Sequence, residues 1–159
     1  MKLARAIHFD ESDRSVFHSP ARTGEWAISG GFEYSNWTDA DLTGKARQAF
    51  ANGWLGVETF GRVTFVAITR IEPGEFDTLE TRIAHHFVDI YGAPSLDAAR
   101  DVARAELNHM NELCEDHEAN TLLTVQRDLT EAGVRESFRA IKAEAAGLDQ
   151  FAIHSTPDE

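Results

Sequence analysis

The segment SLDAARDVARAELNHMNELCEDH, residues 95–117, decides the fold because it carries the longest helical pattern in the chain. Ser95 stands at the expected N-cap, where its hydroxyl can accept a hydrogen bond from an unpaired backbone amide. Asp97 follows in the first turn, where a carboxylate complements the helix dipole. At about 100° per residue, one broad face of this helix is apolar. That face comprises Leu96, Ala99, Val102, Ala103, Leu107, Met110, Leu113 and Cys114.

Two polar residues, Glu106 and His117, fall inside this apolar face, and His109 lies on its flank. Burying a carboxylate is costly unless a partner compensates for the lost hydration. Glu106 therefore requires a partner, and the sequence offers two explanations.

The first explanation is a metal ion. Glu106 and His109 are one helical turn apart, which is the ligand spacing of carboxylate-bridged di-iron bundles. With His86 from the preceding helix, they would form a set of three ligands suited to zinc or ferrous iron. The second explanation is an arginine or histidine that pairs with Glu106, while the other histidines lie at the surface. We favour the second explanation and predict no cofactor, with zinc or iron as the alternative.

Composition bounds the class of protein. A chain of 159 residues with 42% hydrophobic and 26% charged residues is typical of one globular domain. The net charge of −12 argues against a nucleic-acid or anionic-membrane surface, since both require clustered lysine and arginine. The single cysteine excludes an intramolecular disulfide. The chain shows neither a signal-peptide pattern nor an apolar run of membrane-spanning length, so we expect a cytoplasmic protein.

The predicted fold class is α+β, with one mostly antiparallel sheet of about five strands and helices packed on it. The order of elements is βββαβααβα. They are strands Leu3–Phe9, Ser15–His18 and Glu25–Tyr34, a helix from Thr38 to Gly53, strand Arg62–Ile71, helices Phe76–Tyr91 and Ser95–His117, strand Thr121–Leu129 and helix Glu131–Ala146. Residues 1–146 form one domain, and residues 147–159 form a polar tail that we expect to fray. The glycine-rich stretch Gly53–Gly61 is predicted to be a loop with exposed aromatic residues.

Two further patterns suggest chemistry. Arg135, Arg139 and Lys142 form a basic stripe on the predicted last helix, where they can bind a small anion or pair with neighbouring acids. Cys114 and His117 have the spacing of a nucleophile and its base on one helix face. Acidic neighbours would raise the pKa of this thiol, so a buried structural cysteine is the favoured interpretation.

The motifs GEWAISG (residues 24–30), LTGKARQAF (residues 42–50) and the segment from Leu113 to His117 are similar to those of a known family. Across residues 3–142 the chain resembles a small proteobacterial family catalogued only as a domain of unknown function. Genes of that family are associated with accessory genes of molybdenum-type formate dehydrogenases and with a lipoate/biotin-ligase-like gene. The resemblance therefore implies an accessory role in the maturation of a redox enzyme and assigns no activity.

The leading functional hypothesis is a non-enzymatic cytoplasmic accessory protein that interacts with a protein partner and binds neither nucleic acid nor membrane. One alternative is a metal-binding protein or metal-dependent enzyme built on His86, Glu106 and His109. Another is a small-anion-binding module that uses Arg135, Arg139 and Lys142. The oligomeric state is not predicted.

Overall fold

The architecture is a seven-stranded antiparallel sheet that curls into a half-barrel, with helices packed on it. The computed structural model describes residues 1–8 and 16–142. The strands are β1 (Lys2–Ile7), β2 (Trp26–Ile28), β3 (Trp54–Gly56), β4 (Arg62–Val63), β5 (Phe65–Arg70), β6 (Leu122–Thr130) and β7 (Gly133–Ile141), and the helices are α1 (Gly44–Asn52), α2 (Pro73–Tyr91) and α3 (Leu96–Glu115). Two short 3-10 helices, Gly31–Tyr34 and Asp39–Asp41, lie between β2 and α1.

The spatial order of the strands is β4-β3-β2-β1-β5-β6-β7, so the first strand of the chain lies in the middle of the sheet. Ala4 pairs with Ala27 on one side and with Ile68 on the other. Helices α2 and α3 pack against each other, and α3 lies on β1. Helix α1 contacts both β4 and β6, which the curvature of the sheet brings to its two sides.

The predicted helix Ser95–His117 is confirmed. It runs from Leu96 to Glu115, and the Ser95 hydroxyl accepts a hydrogen bond from the Ala98 amide at 3.1 Å. Its buried residues are Ala99, Ala103, Leu107, Met110 and Cys114. Val102, which we placed on the apolar face, is instead exposed.

The mixed architecture with an antiparallel sheet is confirmed, but the number and order of strands are wrong. The predicted loop Gly53–Gly61 contains strand β3 and leads into β4, and Trp54, Leu55 and Val57 are completely buried. Glycine at position 61 reflects close packing, because an added Cβ would lie 2.5 Å from the Ser19 carbonyl oxygen. Strands of two or three residues are too short for alternation to reveal them.

The predicted last helix, Glu131–Ala146, is also wrong, because residues 133–141 form strand β7 in a hairpin with β6. Val134 and Phe138 are four residues apart, a spacing that places two side chains on one face of a helix or of a strand. Half-buried Val134, Glu136 and Phe138 alternate with exposed Arg135, Ser137 and Arg139, which is the period of a strand.

The remaining differences are local. The predicted strand Glu25–Tyr34 ends at Ile28 and gives way to a 3-10 helix, which follows Gly30 at a φ of 73°. Residues 16–18 lie in no strand, and Ser15 lies outside the described residues. The Thr38–Asp41 capping box is present, but it closes a 3-10 turn, so the predicted helix start at Thr38 is wrong. Helix α1 begins at Gly44 and ends at Asn52, directly before Gly53, the residue predicted to end it. The tail at 147–159 also lies outside the described residues.

Candidate functional site

Two buried arginines from different strands meet at the carboxyl end of α1. The side chain of Arg127 on β6 is 0% exposed and that of Arg62 on β4 is 7% exposed. Both donate to the carbonyl oxygen of Gly53, at 2.8 Å from Arg127 and 3.0 Å from Arg62. Both also donate to the carbonyl oxygen of Ser29 at the end of β2. The pair thus binds carbonyls that the helix and the strand leave unpaired where they end.

Each arginine has its own carboxylate partner. Arg62 donates to Glu33 Oε1 at 2.6 Å, and Arg127 Nε donates to Glu136 Oε2 at 2.7 Å. Burial and the proximity of Arg62 lower the pKa of Arg127, while Glu136 raises it. Two guanidinium groups and two carboxylates make the cluster electrically neutral, and a buried charge requires such compensation.

Tyr34 packs against both guanidinium groups. Its ring centroid lies 4.7 Å from the central carbon of Arg62 and 5.5 Å from that of Arg127, within the range of cation–π contacts. The rings of Trp37 and Phe50 contact it edge to face. Tyr34 is therefore fixed between the arginine pair and an aromatic layer.

Glu33 accepts three side-chain donors. Besides Arg62, the Tyr91 hydroxyl donates to Glu33 Oε2 at 2.7 Å, and His86 Nε2 lies 3.1 Å from the same oxygen. Burial by itself would raise the pKa of Glu33, but the charge of Arg62 and the hydrogen bonds from these three donors hold it below its ordinary value. Glu33 thus stays ionised and is held in one position.

A cavity of about 370 Å³ opens beside this network, and we call it the aromatic pocket. It is lined by Phe17, His18, Ser19, Glu33, Tyr34, Trp37, Lys45, Ala46, Ala49, Phe60, Arg62 and Tyr91. Phe60 has a φ of 56°, a conformation uncommon for a residue with a side chain, and its ring stacks on His86 with centroids 3.8 Å apart. Such strain, about 1–3 kcal/mol, persists where the surroundings fix it and concentrates at binding sites.

Two polar features of the aromatic pocket have no side-chain partner among the residues that the structure describes. Tyr34 is only 3% exposed, yet its hydroxyl has no hydrogen-bond partner among residues 1–8 and 16–142. The first turn of α1 contributes Lys45 and Ala46, and the side chain of Thr43 does not cap that helix. Unpaired amides at a helix N-terminus favour a negatively charged group.

The predicted metal ligands are not brought together. His86 lies beside Glu33, whereas Glu106 and His109 line a second cavity of about 440 Å³ with Glu136. In the part of the chain that the structure describes, no group of three or more histidine, cysteine, aspartate or glutamate side chains is arranged to hold a metal ion. His86 instead contacts the Glu33 carboxylate. The residue pattern of helix α2 gives no indication of this partner.

The arginine or histidine that we expected to bond Glu106 is also not seen. Within the described ranges, Glu106 receives no hydrogen bond and makes no ion pair. Its carboxylate is half-buried, and burial raises its pKa, with a smaller contribution from Glu136 and an opposing one from His109. The side chain instead faces the second cavity.

Two of the three predicted anion-binding residues lie on a strand. Arg135 and Arg139 share one face of β7, and Lys142 follows its last residue. Arg135 makes an exposed contact of 3.4 Å with Asp128 on the neighbouring strand. None of the three lines the aromatic pocket or the second cavity.

Cys114 is completely buried, and burial raises the pKa of its thiol to about 12, with a further contribution from Glu115. The thiolate that a nucleophile requires is therefore not formed at neutral pH. The geometry agrees with a structural cysteine.

Sequence reasoning missed the arginine pair, although one signal was present. Leu123, Val125 and Arg127 alternate along β6 and share its inward face, so an arginine in this position requires a buried acceptor. No local pattern indicates Glu33 or Tyr34, because their roles arise from a 3-10 turn that long-range contacts position.

Comparison with known proteins places the chain in a family. The whole chain, residues 1–159, matches a model described as "Family of unknown function (DUF6505)". No curated protein and no solved structure matches it. Among the described residues, no helix combines the length and apolar character needed to cross a membrane. The match confirms the resemblance to a family without an assigned activity, and the chain therefore belongs to the family of unknown function DUF6505.

Proposed function

We propose that this protein is a non-enzymatic accessory protein whose aromatic pocket binds a small organic anion that carries a planar ring. The observation that carries the proposal is the hydroxyl of Tyr34. It belongs to a side chain that is almost entirely buried, it lines the pocket, and the described residues leave it without a partner. The hydroxyl oxygen is not among the side-chain atoms that are sealed from solvent without a partner, so it reaches the pocket, where an oxygen atom of a bound ligand would accept its hydrogen bond.

The charges of the aromatic pocket favour an anion. Glu33 is neutralised by Arg62 at 2.6 Å, which leaves Lys45 as the uncompensated charge among the lysine, arginine and acidic side chains of the lining. The positive end of the α1 dipole adds to it, since Lys45 and Ala46 belong to the first turn. This positive site contrasts with a chain of net charge −12.

The walls of the aromatic pocket favour a flat, apolar body. Phe17, Trp37 and Phe60 line it, and its volume of about 370 Å³ lies in the range of small-molecule sites. Offset stacking between aromatic rings contributes about 0.5–1.5 kcal/mol beyond burial. A single ring bearing a carboxylate matches both the walls and the charge.

The network around Glu33 supports binding in preference to catalysis. Three donors bind its carboxylate, and its pKa is lowered, so it is a poor proton acceptor. Fixed, mutually bonded groups give a pre-organised site. The protein partner that an accessory role implies stays a prediction from the sequence.

Isothermal titration calorimetry with three ligands of nearly equal shape tests the proposal. Benzoate should bind saturably, whereas its uncharged amide, benzamide, and the cation benzylammonium should bind at least about tenfold more weakly, because one charge-assisted hydrogen bond contributes about 1.5–3 kcal/mol. Equal affinity for the three ligands, or no saturable binding of benzoate, would contradict the proposal.

Matched variants locate the binding. Tyr34→Phe keeps the ring and should weaken benzoate two- to tenfold, since a neutral hydrogen bond contributes about 0.5–1.5 kcal/mol. Lys45→Gln should also weaken it, whereas Arg47→Gln on the same helix should not, because Arg47 does not line the pocket. An equal loss in the Lys45 and Arg47 variants would indicate general charge attraction in place of a site.

A further inference from the structure

The second cavity, which we call the acidic pocket, lies on the other side of the Gly31–Tyr34 turn from the aromatic pocket. Its volume is about 440 Å³, and its lining consists of Ser29, Gly31, Phe32, Ser35, Glu106, His109, Gly133, Val134 and Glu136. Gly31 and Phe32 line this cavity, whereas Glu33 and Tyr34 line the aromatic pocket. The lining charges are therefore those of two carboxylates and a histidine.

One of these carboxylates has no hydrogen-bond or ion-pair partner among residues 1–8 and 16–142. Glu136 is bound through Oε2 by Arg127 at 2.7 Å, and Glu106 has neither a hydrogen bond nor an ion pair among the residues that the structure describes. Burial of a carboxylate without compensation is unfavourable. Because Arg127 neutralises Glu136, the unpaired Glu106 leaves the acidic pocket with one net negative charge.

An independent feature, the hydroxyl of Ser29, also points to a ligand. Ser29 is 4% exposed and lines the acidic pocket, and its Oγ has no hydrogen-bond partner in the described ranges. This oxygen is not among the side-chain atoms that are sealed from solvent without a partner. It therefore meets the cavity, where it can accept a hydrogen bond.

The Glu136 carboxylate lies at the cavity wall, in the space that Gly31 leaves open because it has no side chain. A Cβ at Gly31 would lie 2.6 Å from Glu136 Oε2, so any larger residue at position 31 would displace the carboxylate from the place where Arg127 binds it. Its other oxygen, Oε1, receives no hydrogen bond from the described residues. Three acceptors, from Glu106, Glu136 and Ser29, thus face one cavity.

The acceptors suit an organic cation better than a metal ion. No group of three ligating side chains in the described part of the chain has the geometry of a metal site. The cavity is far larger than an ion, and Phe32 and Val134 provide apolar wall on which an alkyl chain can pack. An ammonium group has three donors, which matches the three acceptors.

We propose that the acidic pocket binds a primary alkylammonium group, with Glu106 as its charge partner, Glu136 Oε1 and Ser29 Oγ as further acceptors, and Phe32 and Val134 against the alkyl chain. This site is distinct from the aromatic pocket and has the opposite charge preference.

Titration of the full chain with n-pentylammonium at pH 7 and 150 mM salt, followed by calorimetry, tests the proposal. That ionic strength suppresses unspecific attraction of a cation to an acidic protein. Pentylammonium should bind saturably, and its uncharged isostere pentan-1-ol and the anion pentanoate should bind at least about tenfold more weakly. No saturable binding, or equal binding of the alcohol, would overturn the proposal.

Variants separate this site from the rest of the surface. Glu106→Gln should weaken pentylammonium at least about tenfold, and Ser29→Ala two- to fivefold. Glu112→Gln, an exposed position on the same helix, should leave the affinity unchanged. Benzoate binding should be unaffected by Glu106→Gln, so failure of one pocket is distinguishable from failure of the other. Unchanged pentylammonium affinity in the folded Glu106 variant, or an equal loss in the Glu112 variant, would refute the assignment.

Discussion

Replacing Arg127 by methionine should destabilise the protein by about 3–4 kcal/mol, because methionine keeps the apolar stem and removes the guanidinium group. The substitution leaves the half-buried carboxylate of Glu136 without the donor that now lies 2.7 Å away. It also removes a 2.9 Å hydrogen bond to the carbonyl of Phe50 at the end of α1.

The size of the loss in unfolding free energy depends on which acceptors lose every hydrogen-bond donor. The carbonyls of Ser29 and Gly53 keep hydrogen bonds from Arg62 at 3.3 and 3.0 Å, so their loss is partial. Breaking a buried ion pair by removing one partner costs about 3–5 kcal/mol. Glu136 is 20% exposed and meets a cavity, so water offsets part of the cost and the lower half of that range applies.

Urea unfolding followed by circular dichroism measures the effect as a lower midpoint at unchanged slope. The matched control is Arg135→Met on the same hairpin. Its contact with Asp128 at 3.4 Å is exposed, since the side chain of Arg135 is 72% exposed and that of Asp128 is 51% exposed. The unfolding free energy of this variant should therefore stay within about 0.5 kcal/mol of wild type. A loss below about 1 kcal/mol for the Arg127 variant, or equal losses for both variants, would show that the buried Arg127–Glu136 ion pair does not stabilise the fold.

Three further predictions concern other parts of the fold. Gly31→Ala should destabilise by about 1–3 kcal/mol in urea unfolding because its Cβ would lie 2.6 Å from the Glu136 carboxylate, whereas Gly74→Ala, with nothing within 4 Å, should be neutral or stabilising. Cys114 should resist a thiol reagent at pH 8 in the folded protein and react at once in urea; rapid labelling without urea would contradict its burial. Glu33 has a folded pKa below its ordinary value of 4.5, so its stabilisation is present above that pH and is lost as the pH falls. The difference in unfolding free energy between wild type and Glu33→Gln should therefore shrink from pH 6 to pH 3, and a constant difference would contradict the assignment.

The parts of the fold that the sequence predicts well are those with long, unambiguous periodicity. Helix α3 shows an N-cap at Ser95 and an apolar stripe over five turns, and it forms as expected. Helix α2 likewise begins within three residues of the predicted start at Phe76. In the hairpin β6–β7, strand β6 was predicted, but β7 was predicted to be a helix. The spacing of Val134 and Phe138 fits the period of a helix as well as that of a strand.

The candidate sites were harder to predict because long-range pairing creates them. Arg62 and Arg127 are 65 positions apart in the sequence, and they meet only because the sheet curls around α1. Only the metal-binding alternative placed His86 beside Glu106, and in the structure the 3-10 turn brings Glu33 to His86 instead. Glu106 stood out in the sequence because a carboxylate on an apolar helix face requires a partner. In the structure it is half-buried and lines the acidic pocket, without a hydrogen bond from the described residues.

Two-dimensional amide NMR of the uniformly labelled chain, titrated with benzoate, shows most directly whether the aromatic pocket binds the anion. We expect saturable shifts concentrated at the Lys45 and Ala46 amides and the Trp37 indole, since these three residues line the aromatic pocket. Resonances of Glu106 and His109 in the acidic pocket should stay in place. Shifts that centre on the acidic pocket, or that scatter over the surface without saturation, would show that the aromatic pocket is not the anion site.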